Sequence, residues 1–248
     1  MKRSDVAAEL LIAIEEKRAV VGVVGLGYVG LPLAITFAEA GFRVLGFDVD
    51  PKKVESINAG KTYIGDVPEQ DVRGAVEAGF LSATTDMSLL SEPDAISICV
   101  PTPLRKTRDP DMSYVTHAVE SIAKVLRTGQ LVILESTTYP GTTEELVVPA
   151  LTSTELVVGE SLFVGASPER VDPGQDRWTI KNTPKVVGGI TETCQELATA
   201  LYGAIVDTVV CVGGTTAAEL TKLYENTFRA VNIGLANEMA HICHHLGL

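Results

Sequence analysis

The sequence predicts an α/β fold, a doubly wound parallel sheet followed by one long C-terminal helix. Three observations carry that reading. Short apolar runs alternate with amphipathic stretches from Ala19 to Val212, the pattern of parallel strands joined by helical crossovers. Gly25, Gly27 and Gly30 form G-x-G-x-x-G between the apolar run Val20–Val24 and a helical stretch, and the next strand, Arg43–Phe47, ends in Asp48. Finally, residues 216–246 contain no proline and repeat apolar side chains every three or four positions. The first two describe a Rossmann-type unit, and the third a helix added to it.

In chain order, residues 4–17 read as an amphipathic helix that Ser4 or Asp5 can cap, with Val6, Leu10, Ala13 and Ile14 on one face. After the first strand–helix–strand unit, Pro51–Asn58 opens a helix. A polar, turn-rich stretch over 65–79 holds a short helix around 69–78, and 80–84 is a third strand. Residues 95–100 are apolar and end in Pro101-Thr102-Pro103. A charged loop with two more prolines covers 104–112, and 113–126 is a helix. A strand over 130–134, a helix over 142–151 and a strand over 161–166 follow. Strand-like 185–187, helical 192–202 and a last strand over 208–212 complete the alternation.

Polar clusters follow the ends of successive strands, at Gly25, Asp48, Thr102, Thr137 and Glu169. In an open α/β sheet the carboxyl ends of the strands line one crevice, where a ligand binds. The glycine spacing supplies a tight turn at Gly25, close backbone approach to a pyrophosphate at Gly27 and helix–strand contact at Gly30. Tyr28 and Val29 lie within the same turn and are assigned to the cofactor with it. The following helix offers free N–H groups to the phosphates. Asp48 stands where a carboxylate binds both hydroxyls of an adenosine ribose and repels a 2′-phosphate, so the cofactor is read as NAD rather than NADP.

Bulk properties narrow the partners. A formal charge of −12 argues against nucleic acid or an anionic membrane as the main partner, although local N–H groups can still hold phosphates. No apolar run approaches the ~20 residues of a membrane span. Lys2 and Arg3 precede a stretch broken by Asp5, Glu9, Glu15 and Glu16, which does not read as a signal peptide. Cys99, Cys194, Cys211 and Cys243 show neither C-x-x-C nor zinc-finger spacing, and three of them sit in apolar surroundings, so a reducing cytoplasm is expected. His241, His244 and His245 lack a completing ligand set, and no metal is expected.

As one helix, 216–246 would run about 45 Å. It is apolar nearly all round, so it should pack on the sheet domain and on something else, most simply a second subunit. The rival reading is two shorter helices broken near Gly234 and folded within one domain. Lys222, Asn226 and Arg229 share a face of the helix and read either as a solvated stripe or as a functional one. Glu169 reads as a base or water-orienting group, or else as the partner of Arg170, Arg177 or Lys181. Thr102 and Thr137 read as hydroxyl ligands or helix N-caps.

Seven stretches, in order, resemble the UDP-sugar 6-dehydrogenases: VGVVGLGYVGLPLA (21–34), VPTPL (100–104), DPDMSYV (109–115), ESTTYPGTTEE (135–145), SPERVDPG (167–174), PKVVGG (184–189) and AAELTKLYENTFRAVNIGLANEMA (217–240). The fourth and fifth look most like the UDP-N-acetylglucosamine branch. The UDP-glucose and UDP-N-acetylmannosamine enzymes are the alternatives. The resemblance implies oxidation of a sugar C6 alcohol to the carboxylate with two NAD⁺ in succession. It implies adenosine-ribose contacts at Asp48 and Lys53, and threonines beside the cofactor at Thr102 and Thr137, the latter also near the reacting centre. It further implies a water-orienting glutamate at Glu169 and an oxyanion-stabilising pair at Lys222 and Asn226. In that family the nucleophilic cysteine lies in a glycine-rich motif beyond the long helix, and none of the four cysteines here has such a setting. The expectation is an NAD-binding domain over 1–212 and the start of a central helical, dimerisation domain over 213–248. The UDP-binding domain is expected to be absent, so the chain alone should be inactive, with a homodimer formed through 216–246. A β-hydroxyacid dehydrogenase and a non-catalytic NAD-binding subunit are the remaining readings.

Overall fold

A computed structural model describes residues 4–107, 109–152, 155–170 and 179–248. Helix α1 (Asp5–Glu15) is capped by Ser4, whose Oγ accepts the Ala7 N–H. The sheet then begins with β1 (Val20–Val24), α2 (Gly30–Glu39) and β2 (Arg43–Phe47). Helices α3 (Pro51–Asn58) and α4 (Glu69–Glu77) lead to β3 (Leu81–Thr84), and a 3₁₀ turn (Met87–Ser91) leads to β4 (Ala95–Ile98). Next come α5 (Ser113–Ala123), β5 (Leu131–Leu134), a π-helical turn (Thr143–Val147) running into α6 (Val148–Leu151), and β6 (Phe163–Ala166). The last elements are β7 (Lys185–Gly189), α7 (Glu192–Gly203), β8 (Val209–Cys211) and α8 (Thr215–Leu246).

The eight strands pair in the order β3-β2-β1-β4-β5-β6-β7-β8. β4, β5 and β6 are buried along their whole length and carry few polar residues, as strands covered on both faces should. One apolar cluster joins α1, α2 and α7 to one face, and a second joins α5, α6 and the 3₁₀ turn to the other. Chain order reverses between β1 and β4, so the two halves of the sheet diverge at β1, where a ligand crevice opens.

Two local expectations are corrected. The sheet is not parallel throughout: β7 runs antiparallel to β6, pairing Gly165 with Gly189 and Ala166 with Gly188, while β8 is parallel to β7. A parallel return needs a crossover over one face, usually a helix, and none is described between β6 and β7. The 142–151 helix opens as a π turn, because Pro149 has no N–H and its ring would crowd the carbonyl four residues back.

α8 is one unbroken helix of 32 residues that passes through Gly234 and ends in a left-handed Gly247, so the two-helix alternative fails. Its first turns alone dock on the sheet, with Thr215, Ala218 and Glu219 buried. The Glu219 carboxylate accepts the Gly141 N–H (2.6 Å), the Thr143 N–H (2.9 Å) and the Thr143 hydroxyl (2.6 Å), capping the π turn. Glu144 returns the favour at the α8 N-terminus, accepting from the Thr215 and Thr216 hydroxyls. Beyond that clamp the helix stands away from the sheet, and Tyr224, Phe228, Val231 and Leu235 are exposed. The expected packing of α8 on the sheet domain is thus confined to its first turns. No helix among the described residues is long and apolar enough to cross a membrane.

Candidate functional site

The glycine turn has the form a pyrophosphate needs. Gly25 follows β1 directly at φ +91°, a conformation that a side chain would strain, and its N–H donates to the Phe47 carbonyl (2.7 Å). A Cβ on Gly30 would lie 1.8 Å from the Gly25 carbonyl oxygen, so only glycine lets α2 start against the strand. A Cβ on Gly27 would meet nothing within 4 Å. That open side is the face a ligand can approach. Val29 precedes α2 without a side-chain cap, leaving first-turn N–H groups for an anion, and Tyr28 beside it is exposed.

Asp48, one residue past β2, is buried, and its carboxylate spans the turn. Oδ2 accepts the Leu26 N–H (2.8 Å) and the Lys53 ammonium (3.0 Å), while Oδ1 accepts the Asp50 N–H (3.0 Å). A carboxylate offers about four acceptor positions. This one retains capacity for a ribose hydroxyl, with Lys53 alongside as a donor. The turn, the uncapped helix and the acid together fit an adenine dinucleotide.

Farther along the rim, Thr102 lies beyond β4, Thr137 beyond β5 and Glu169 beyond β6, three adjacent parallel strands. The Thr102 hydroxyl donates to the Thr137 carbonyl (2.8 Å), tying two strand ends together. Neither threonine is a helix N-cap: Met112 precedes α5 and Thr142 precedes the π turn. Among the expected partners of Glu169, the one that needs correction is Arg170. The Arg170 guanidinium instead pairs with Glu225 on α8, although the Arg170 N–H does donate to Glu169 Oε1 (2.6 Å). Arg177 and the second half of the SPERVDPG stretch, 171–174, lie outside the described residues.

On the buried side, Glu169 meets Lys185, with Oε2 3.7 Å from the ammonium. Sequence reasoning missed this group entirely. Continuing the antiparallel β6–β7 register sets Lys185, the first residue of β7, opposite Glu169 at the crevice end of the sheet. Lys185 Nζ also pairs with Glu135 Oε2 (2.6 Å), and the Tyr202 hydroxyl donates to Glu135 Oε1 (2.5 Å) and approaches Ser97 Oγ (3.3 Å). Burial raises the Glu135 carboxyl above its ordinary range by more than Lys185 lowers it. Burial works against the Lys185 charge, but Glu135 and Glu169 outweigh it and hold the ammonium above its usual range. An acid directly after the apolar strand Leu131–Leu134 was the available signal.

Lys222 and Asn226 sit one turn apart on α8, the first half-buried and the second exposed. The Arg170–Glu225 pair joins their stretch of helix to the loop that carries Glu169. The cysteines divide evenly, Cys99 and Cys194 buried, Cys211 exposed and Cys243 partly so, where three buried thiols were expected. Burial, reinforced by the Glu135 carboxylate, pushes the Cys99 thiol well up, which makes it a poor nucleophile.

Residues 19–206 match the NAD binding domain of the UDP-glucose/GDP-mannose dehydrogenase family, and residues 216–248 match that family's central domain. The UDP-N-acetyl-D-mannosamine dehydrogenase of Salmonella typhi is 42% identical over 237 residues, covering 92% of this chain and 56% of the relative. The NDP-N-acetyl-D-galactosaminuronic acid dehydrogenase of Ralstonia nicotianae is 40% identical over 95% of this chain and 57% of its own length. The structure of the UDP-D-ManNAc dehydrogenase from Pyrococcus horikoshii superposes with a TM-score of 0.87 at 38% identity, over 92% of this chain and 55% of that one. The chain thus spans about half the length of the relatives it matches. On the match over both segments and the geometry of the glycine turn, the protein belongs to the UDP-glucose/GDP-mannose dehydrogenase family, and its cofactor is NAD.

Proposed function

We propose that the chain carries the NAD half of an enzyme that oxidises the C6 alcohol of a UDP-linked 2-acetamido sugar to the carboxylate. The observation that carries this reading is the alignment of Asp48, Gly25, Thr102, Thr137 and Glu169 along the ends of five neighbouring strands, with Glu225 of α8 tied to the same rim. On this reading 1–212 is the NAD-binding domain and 213–248 begins a central helical domain.

Gly25, Gly27, Tyr28, Val29 and Gly30 hold the pyrophosphate, Asp48 and Lys53 the adenosine ribose, and Thr102 and Thr137 the wall beside the nicotinamide. When bound, NAD⁺ supplies the hydride acceptor. Lys222 and Asn226 act as donors to the oxygen that gains negative charge, an effect worth several kcal/mol when the donors are fixed in advance. Glu169, held from behind by Lys185, orients the hydrolytic water. Relatives at 40–42% identity are named for N-acetylmannosamine and an N-acetylgalactosaminuronic acid. They support an N-acetylated sugar and favour UDP-N-acetylmannosamine over the UDP-N-acetylglucosamine that the motifs suggested.

None of the four cysteines combines crevice placement with a reactive setting: Cys99 and Cys194 are buried, and Cys211 and Cys243 lie on β8 and far along α8. The 248-residue chain should therefore bind NAD⁺ one to one and give no NADH with UDP-N-acetylmannosamine, UDP-N-acetylglucosamine or UDP-glucose. Calorimetry and NADH absorbance test both halves. Steady NADH formation by this chain would overturn the claim that it lacks the nucleophile.

A further inference from the structure

The loop between α3 and α4 reaches into the cofactor turn at one point. Thr62 and Ile64 lock it, with the Thr62 hydroxyl donating to the Ile64 carbonyl (3.0 Å) and accepting the Ile64 N–H (3.1 Å). Ile64 and Val67 anchor the loop in the core. Tyr63, between these fixed points, directs its hydroxyl at the carbonyl oxygen of Leu26, 2.5 Å away. Leu26 is the residue between the first two glycines of the turn, and its own N–H is held by Asp48 Oδ2 at 2.8 Å. Leu26 is thus gripped at both backbone groups, from β2 on one side and from the α3–α4 loop on the other.

A peptide unit is planar, with its C=O and N–H pointing in opposite directions. A donor fixed on the Leu26 carbonyl therefore fixes the direction of the Gly27 N–H. That N–H belongs to the residue whose Cβ direction is open, the side on which a pyrophosphate can approach. Without the hydroxyl, the Leu26–Gly27 peptide has a glycine on one side and can rotate at little steric cost. We propose that Tyr63 is a positioning residue of the NAD site, which holds the Leu26–Gly27 peptide in the orientation that binds pyrophosphate before the cofactor arrives. Fixing a binding group in advance removes an ordering cost from association. Burial, with the Asp48 and Asp50 carboxylates beside it, pushes the phenol well above its ordinary range, so the hydroxyl stays a donor throughout the working pH range.

Tyr63 acts on the pyrophosphate through the backbone and not on the adenosine, and this gives the test its discrimination. Tyr63→Phe keeps the ring and removes the donor. One neutral hydrogen bond is worth about 0.5–1.5 kcal/mol, which predicts a roughly three- to tenfold weaker Kd for NAD⁺ and for ADP-ribose, with adenosine binding within about twofold of wild type. Titration calorimetry reads the first two ligands, and ligand-observed NMR reads adenosine. An equal loss for adenosine would make Tyr63 a nucleoside contact and overturn the proposal, as would no loss for any ligand. Should Tyr63→Phe not fold, the ligand-free wild-type chain decides: a Tyr63 hydroxyl proton that exchanges slowly enough to be seen by NMR supports a clamp set before the cofactor arrives, and a rapidly exchanging hydroxyl overturns it. The inference rests on the NAD assignment, and the two fail separately. A wild-type chain that bound neither NAD⁺ nor ADP-ribose would sink the assignment, whereas the exchange of the Tyr63 hydroxyl proton in the free chain reads the clamp alone.

Discussion

Lys185 is a lysine with almost no exposed surface, placed between two carboxylates. Removing one partner of a buried ion pair typically costs about 3–5 kcal/mol, because the remaining charge stays in a poorly solvating interior. Lys185→Met should therefore destabilise the chain by about 3 kcal/mol near pH 8 in urea unfolding. The loss should shrink toward pH 5. The Glu135 carboxyl already sits above its ordinary range, and without Lys185 it rises further. A carboxyl with a raised folded value holds its proton more tightly in the folded chain. Its stabilising contribution is full below the ordinary glutamate range and is lost as pH rises through the folded value. A penalty independent of pH would mean that Glu135 does not carry the uncompensated charge. Replacing both partners with apolar residues should recover much of the loss. At this scale the legible groups were those that answer to local demands. Gly25 answers to a turn, Gly30 to a helix start and Asp48 to a strand end, each visible within thirty residues of sequence. Glu135, Lys185 and Tyr202 answer to each other across 50 and 67 positions, and no periodicity reports such a pairing.

At the scale of elements, the clamp between the π turn and α8 decides whether the long helix is held to the sheet. Glu219 satisfies two backbone N–H groups and one hydroxyl at a helix start that no other side chain caps. Glu219→Ala leaves those buried donors without their acceptor and should cost about 2–4 kcal/mol. Amide exchange at Gly141 and Thr143 should accelerate in step with the loss seen in thermal melts. Unchanged exchange at those two amides would show that α8 is held by other contacts. Strand and helix identity were legible along most of the chain because a sheet covered by helices on both faces imposes a regular alternation of apolar runs and amphipathic stretches. Direction was not. β7 carries the same apolar signature whether it runs parallel or antiparallel, and only its pairing with β6 distinguishes the two. The distinction has a functional side. In a parallel β7, Lys185 would lie at the far end of the sheet from Glu169, and the buried charge cluster would not exist.

For the whole molecule, the dominant unsatisfied feature is α8 past its first turns. Phe228 is 62% exposed and Leu235 60%, on a helix that also exposes Tyr224, Val231, Ile233 and Met239. Single exposed apolar residues are ordinary, but a continuous stripe along one helix is the mark of an association surface. An apolar pattern nearly all round predicted a covered helix, and a single chain leaves most of it uncovered, since the sheet reaches only its first turns. A second copy presenting the same stripe is the simplest cover, because a two-fold interface is self-complementary. The chain should therefore sediment as a dimer at micromolar concentration. Phe228→Arg with Leu235→Arg should shift it to monomer and weaken association at least a hundredfold, while the NAD⁺ affinity of the sheet domain stays within about twofold. Both substitutions lie on the exposed length of the helix, beyond the Glu219 clamp and away from Asp48 and the glycine turn. They separate association from cofactor binding. A wild-type chain that stays monomeric at every concentration would overturn self-pairing and leave the stripe to a different partner. A dimer unmoved by the two arginines would place the interface elsewhere on the molecule.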